Sequence, residues 1–510
     1  MPAEIVASHV APTAHVDVLI VGAGLSGIGA AVHLQKESPG KSYAILESRA
    51  ASGGTWDLFR YPGIRSDSDM YTMGYKFKPW ENAKAIADGP SILAYIRDTA
   101  REHGIDRHIR YGHKVEGAAW SSKDARWTVE IERDGKRETM TCNFLLLCAG
   151  YYKYEKGYLP DWPTLGRFKG TLVHPQHWPE GLDHAGKRVL IIGSGATAVT
   201  LVPEMAKTAA HVTMLQRSPT YMVSRPAADA MANGLRRYLP AKLAYGITRW
   251  KNVLLQMFFY RLARKNPEKT AERLISMVQE QLGPEFDVKT HFTPSYKPWD
   301  QRLCLVPDND MFATIKSGRA SVVTDHIEAF TEKGVLLKSG KVLEADIIVT
   351  ATGLDLEIAG GLKVAVDGRP IEFAKTLIYK GMMYSGVPNL ASVFGYTNAS
   401  WTLKADLIAE YACRLINHMT KTGNDFCVPV NKDPSMPVIP WLDFSSGYVQ
   451  RVIGRFPRQG ARAPWKLHQN YASDMVALRF GSLEDDAMEF HKKGEAFVTE
   501  PVREVPLAAE

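Results

Sequence analysis

Val18-Leu19-Ile20-Val21-Gly22-Ala23-Gly24-Leu25-Ser26-Gly27 decides the fold of this 510-residue chain. An apolar strand pattern from Val16 to Val21 stops in a GxGxxG turn, and helical periodicity follows from about Ser26 to Lys36. A second strand pattern, Ser42–Glu47, ends in a carboxylate 20 residues beyond Gly27. Strand, glycine turn, helix and strand form the βαβ context that makes such glycines a dinucleotide fingerprint. Gly22, Gly24 and Gly27 let the backbone turn tightly and come close to a pyrophosphate. The helix N-terminus offers free N–H groups to it. Glu47 is placed to accept from a ribose hydroxyl pair.

The pattern occurs twice. Val189–Ile192 leads into Gly193-Ser194-Gly195-Ala196-Thr197-Ala198, and the next strand, His211–Leu215, ends in Gln216-Arg217-Ser218. Arg217 stands where an NAD site would carry Asp or Glu. A carboxylate there repels a 2′-phosphate, whereas a guanidinium binds one, so the second site is predicted to take NADP(H). Two fingerprints imply two nucleotide cofactors, a layout suited to passing electrons from a nicotinamide to a flavin.

Two further runs, Phe144–Leu147 into Cys148-Ala149-Gly150 and Asp346–Val349 into Thr350-Ala351-Thr352-Gly353, read as buried strands ending in small residues. They bracket the second fingerprint. The expected architecture is α/β with two Rossmann-like dinucleotide-binding domains, one for FAD and one for NADP. The FAD domain is discontinuous, with segments 1–155 and 341–510. The NADP domain covers 156–340 and carries a helical insert at about 230–290.

The chain has a net charge of +7 and five cysteines, Cys142, Cys148, Cys304, Cys413 and Cys427, without a CxxC pair. This predicts reduced thiols and a cytoplasmic setting. Cys142 and Cys148 flank a buried strand, which disfavours a disulfide reductase. The first sixteen residues read as a flexible lead-in without a signal peptide, and no apolar run is long enough to span a bilayer. The segment 234–282 gathers Arg236, Arg237, Lys242, Arg249, Lys251, Arg261, Arg264 and Lys265 around the apolar run Val253–Tyr260. Two readings stay open: a helical insert packed on its own domain, which is preferred, or weak peripheral association with an anionic membrane. No basic groove interleaved with aromatic residues suggests nucleic acid. Nothing in the sequence sets an oligomeric state.

Between the fingerprints lies Phe168-Lys-Gly170-Thr-Leu-Val-His174-Pro-Gln-His177-Trp178-Pro179. This string resembles FxGxxxHxxxWP, the signature of type I Baeyer–Villiger monooxygenases. The stretches Gly53–Asp69, Trp299–Pro307 and Gly395–Lys404 are similar to the thioamide-oxidising branch of that family. The resemblance implies an NADPH-dependent flavoenzyme that inserts one oxygen atom of O2 into ketones through a flavin C4a-peroxide. Sulfoxidation of thioethers or thioamides is implied as a second activity. It places Ser26 and Glu47 on the FAD pyrophosphate and ribose, Thr55, Trp56 and Asp67 along the flavin, and Val115 at the adenine. Arg65, Ser66, Gly195, Thr197, Arg217 and Ser218 would contact NADP, beside Gly193, Ser194 and Ala196 of the turn. Arg302 matches the family's catalytic arginine and Asp67 its carboxylate partner. A fixed cation suits a reaction in which negative charge develops, and arginine keeps its proton at neutral pH.

Gln301 departs from the lysine common in the family, which leaves more of the 2′-phosphate preference to Arg217. His174 and His177 are three residues apart with Pro175 between them and no third ligand, so no metal is expected. Among residues 370–480, Tyr379, Met382, Met383, Tyr384, Phe394, Tyr396, Trp401, Trp441 and Phe444 divide between an ordinary core, expected for most, and an apolar substrate pocket. A heteroatom-oxidising flavin monooxygenase with little ketone activity is the alternative. A non-catalytic cofactor-binding or membrane-surface protein is the alternative from another class.

Overall fold

Strand Ala14–Val21 runs parallel to Tyr43–Glu47 on one side and to Lys136–Leu147 on the other, inside a nine-stranded sheet. The computed structural model describes residues 14–442 and 444–499, so most of the expected N-terminal lead-in lies outside the described residues. Side chains alternate across the strand, as extended backbone requires. Val18 and Ile20 join the cluster built on helices Leu25–Glu37 and Trp401–Thr422. Leu19 faces the other way, into a second cluster with Trp127 and Leu145. Both faces being covered explains the unbroken apolar run. Lys114–Ser121 and Arg126–Arg133 continue the sheet antiparallel, and Lys363–Val366 and Leu390–Ser392 return to it from far along the chain.

The second sheet has five parallel strands in the order Ala320–Thr324, His211–Gln216, Arg188–Ile192, Ile347–Thr350 and Thr171–Val173. Ile347–Thr350 lies beyond the boundary expected at residue 341. All four of its residues are buried, and it fills the slot between Arg188–Ile192 and Thr171–Val173. The chain rejoins the first sheet at Lys363–Val366.

Two chain segments cross between the sheets, 150–158 outward and 351–357 on the return. They run side by side, Lys153 N–H donating to Asp355 O (2.9 Å), Tyr158 N–H to Gly353 O (3.1 Å) and Glu357 N–H to Tyr151 O (3.0 Å).

The insert forms helices Ala230–Tyr238, Ala241–Lys265 and Pro267–Leu282. The expectation that it packs on its own domain needs correction for the second of these helices, whose inner face docks on the first unit. Tyr245 Oη donates to Tyr75 O (3.0 Å), and Asn252 donates to Asp69 (2.9 Å). The buried Arg249 donates to Tyr71 O (2.8 Å) and Gly74 O (2.7 Å) and faces Asp406 (3.5 Å). A buried guanidinium needs a dense set of acceptors, and those acceptors belong to the segment after Asp69. Among the described residues, no helix is long and apolar enough to cross a membrane.

Candidate active site

Both glycine turns open onto one cavity of about 970 Å³. Helix Leu25–Glu37 begins at Gly24 and helix Ala196–Met205 at Gly195. Neither has a side-chain cap or an acidic residue in its first turn, so their first N–H groups are available to a phosphate. Gly22 has φ +103°, and a Cβ there would lie 2.6 Å from Cys148 O; Gly193 has φ +138°, with Ala351 O 2.2 Å from the same point. The two small-residue strand ends therefore press on the two glycine turns in equivalent places. Gly27 does not reach the cavity. A Cβ on it would meet Gly22 O at 1.9 Å, so this glycine serves the close approach of helix and turn.

Glu47 is buried at the end of its strand. Its carboxylate accepts from Ala23 N–H (2.9 Å) and Arg49 N–H (2.9 Å), bracing the turn while lining the cavity. Ser26 also lines it, its hydroxyl accepting from Trp401 Nε1 (2.8 Å). Thr55 and Trp56 follow the Gly53-Gly54 turn, where Gly54 has φ +56° and a Cβ on it would lie 3.0 Å from Gly24 Cα. Asp57 fixes that turn, being buried and paired with Arg49 (2.7 Å) and Arg97 (2.8 Å). Sequence reasoning passed over it. Val115 lines the cavity at a bulge in its strand.

In the second half, Gly193, Ser194, Gly195, Ala196, Thr197, Arg217 and Ser218 line the same cavity. The exposed Arg217 makes no ion pair or hydrogen bond among the described residues. Arg65 and Ser66 also reach the wall, but their polar groups are engaged elsewhere. The Arg65 guanidinium pairs with Asp310, and the Ser66 hydroxyl donates to Ser68 O (2.7 Å) within its own turn.

Arg302 and Asp67 meet on the cavity wall, Arg302 Nη2 donating to Asp67 Oδ2 at 2.7 Å and Nε to the same oxygen at 3.0 Å. The arginine side chain keeps 39% of its surface, open toward the cavity. The Asp67 charge beside it raises its pKa against the cost of burial. Tyr151, Tyr152 and Tyr448 surround the guanidinium, and burial pushes all three phenols above their ordinary value. Tyr151 and Tyr152 share a hydrogen bond (2.7 Å), and Tyr151 stacks on Trp401 at 4.9 Å. The sequence offered no signal for this tyrosine ring, because 151–152 and 448 converge only through the fold. Of the aromatics flagged for a pocket, Tyr396 and Trp401 line the cavity. Tyr379, Met382, Met383, Tyr384, Trp441 and Phe444 are buried in the core, and the half-buried Phe394 packs against it.

The motif between the fingerprints grips the crossing segments. Gln176, fully buried, donates to Lys153 O (2.8 Å) and Tyr154 O (3.0 Å), and His177 Nε2 lies 3.1 Å from Glu155 O. The His174 ring packs where a Gly157 Cβ would be. Phe168, half-buried, packs against the core of the second sheet.

Residues 20–88 match the NAD(P)-binding Rossmann-like domain, and residues 81–360 match the family described as flavin-binding monooxygenase-like. The chain is 53% identical to the FAD-containing monooxygenase EthA of Mycobacterium tuberculosis, over 94% of this chain and 99% of that one. It is 52% identical to EthA of Mycolicibacterium smegmatis, over 94% and 98%. The fold is similar to that of an oxidized steroid monooxygenase bound to NADP, with a TM-score of 0.74 at 20% identity over 94% of this chain and all of that one. With one family match spanning the second glycine turn and Arg302, and half the residues shared with these relatives end to end, the chain belongs to the flavin-binding monooxygenase-like family.

Proposed function

We propose that this enzyme uses FAD, NADPH and O2 to insert one oxygen atom into ketones, giving esters, and that it also oxidises thioether or thioamide sulfur. The observation that carries the reading is the Arg302–Asp67 pair on the wall of the cavity that both glycine turns open onto. The turn at Gly22, Gly24 and Ser26, with Glu47, Thr55, Trp56 and Val115, would hold FAD. Gly193 to Thr197, Arg217 and Ser218 would hold NADPH. Segments 1–155 and 341–510 form the flavin unit in this reading, apart from residues 341–350, which pack with the NADPH unit at 156–340.

When bound, the nicotinamide supplies a hydride and the flavin activates O2. Arg302 supplies a positive charge that stays fixed, since a guanidinium does not ionise near neutral pH and Asp67 raises its pKa further. Its place on the wall favours a bound reactant on which negative charge grows during attack on a carbonyl. Asp67 orients the guanidinium and offsets its burial. The three phenols remain protonated, so they surround Arg302 with neutral dipoles instead of competing anions. Arg217, which pairs with no carboxylate among the described residues, is suited to a 2′-phosphate.

The test is to purify the chain, confirm bound flavin, and identify the products formed from 4-phenyl-2-butanone and from a thioether with NADPH. An ester from the ketone supports the reading. Sulfoxide without ester favours the heteroatom oxidase, and a colourless protein removes the flavin assignment.

A further inference from the structure

Helix Ala241–Lys265 is apolar on the side that faces away from the protein. Its inner face buries Ala244, Tyr245, Thr248, Arg249 and Val253. Its outer face carries Leu243, Ile247, Trp250, Leu254, Phe258 and Leu262, spaced three or four residues apart in one stripe. Leu254 and Phe258 are 57% and 59% exposed. The stripe runs roughly 28 Å at 1.5 Å per residue. Scattered exposed leucines need no explanation, but a continuous stripe on one helix marks a surface that meets something.

The charge around the stripe says what. No Asp or Glu occurs between Asp229 and Glu268, while eight Lys and Arg do. Arg249 is buried, Lys251 pairs with Asp229, Arg264 pairs with Asp300, and Arg236 bonds to backbone carbonyls. Arg237, Lys242, Arg261 and Lys265 make no ion pair among the described residues, and they stand at the two ends of the stripe. A second copy docked through this face in a two-fold contact would set these cations against one another. A straight apolar stripe with Trp, Phe and Leu, ended by unpaired cations and too polar to cross a bilayer, suits an anionic lipid surface, where the ring and leucine side chains enter the acyl boundary and the cations meet headgroups.

We propose that the outer face of helix Ala241–Lys265 docks the enzyme on the surface of an anionic membrane. The same helix ends at the site loop. Tyr260 packs edge-on against Trp299 at 5.6 Å, and Arg264 pairs with Asp300, two residues before Arg302. Docking therefore brings a bilayer, a reservoir of apolar molecules, to the element that holds the Arg302 loop.

The test is sedimentation of the purified full chain with vesicles of phosphatidylglycerol and phosphatidylcholine, or of phosphatidylcholine alone. Wild type is expected to sediment with the anionic vesicles, less in high salt, and little with the neutral ones. Leu254→Asp with Phe258→Asp is expected to lower the partition coefficient more than tenfold. Lys242→Glu with Lys265→Glu lowers it by a similar factor, at about fivefold for each cation lost. These side chains are exposed, so flavin content and melting temperature should match wild type. Failure of wild type to bind anionic vesicles overturns the proposal. So does equal binding to neutral vesicles, or unchanged binding by both variants. If light scattering shows a wild-type dimer that the Leu254/Phe258 variant abolishes, the face is a self-association surface and the membrane assignment falls.

Discussion

Two nitrogens of Arg302, Nε and Nη2, converge on one oxygen of Asp67, leaving Nη1 and the other carboxylate oxygen without a role in the pair. The ion pair thus fixes the guanidinium plane while one of its edges stays available to the cavity. Arg302→Ala should still let NADPH bleach the flavin's visible absorbance, while product formation falls on the order of 10²-fold or more. Asp67→Ala should lower product formation less, because the cation remains but loses its orientation. Stopped-flow reduction alongside product assays separates the two steps. Full ketone turnover by the Arg302 variant would remove this residue from the chemistry.

Arg217 awaits an anion. Arg217→Ala is expected to raise the KM for NADPH roughly tenfold or more, as loss of a charge-assisted contact does, and to leave NADH kinetics unchanged. Equal efficiency of NADPH and NADH in wild type would show that the 2′-phosphate site lies elsewhere.

The glycines of the second turn differ in what surrounds them, so two alanine variants should part ways. Gly193→Ala forces a side chain at φ +138° into Ala351 O and should lower the melting temperature. Gly195→Ala adds its methyl to open space at φ −79°. It should fold normally yet bind NADP(H) more weakly, because the methyl occupies room the dinucleotide needs. Unaltered NADP(H) affinity in a well-folded Gly195→Ala would argue against that seat.

His33 reports on the core between the helices. Burial alone would lower its pKa, but hydrogen bonds to Asp406 and Glu37 raise it to about 9. A proton held more tightly when folded stabilises below the unfolded pKa near 6.5, and this contribution is lost as pH rises through about 9. Stability should therefore fall across that window by an amount on the order of 3 kcal/mol, read as a lower melting temperature. His33→Gln should flatten the dependence. An unchanged slope in that variant would assign it to other groups.

Both glycine turns were legible in the sequence, because their constraint is local: a positive φ and a carbonyl pressing where a Cβ would sit leave one residue type. The place of Arg217, just past the end of strand His211–Gln216 and on the cavity wall, was legible because the start and length of that strand were plain. The company of Arg302 was not. Tyr151 and Tyr448 are nearly three hundred residues apart, and only the return of the chain to the first sheet unites them. Arg65 shows the opposite failure. Its position on the wall followed from the resemblance, but its capture by Asp310 depends on how the second unit's loop meets the first. Arg249 read as one more surface cation on a basic helix, since no local pattern tells a buried guanidinium from a solvated one.

The paired crossings between the sheets have a mechanical consequence. One connecting strand would let the halves swivel freely about it. Two laced together by Lys153, Tyr158 and Glu357, with the Gln176 amide clasping one of them, resist torsion, and the docked helix Ala241–Lys265 ties the halves at a second place. Asp67 and Arg302 come one from each half, so the seat of the guanidinium depends on how firmly the halves are tied.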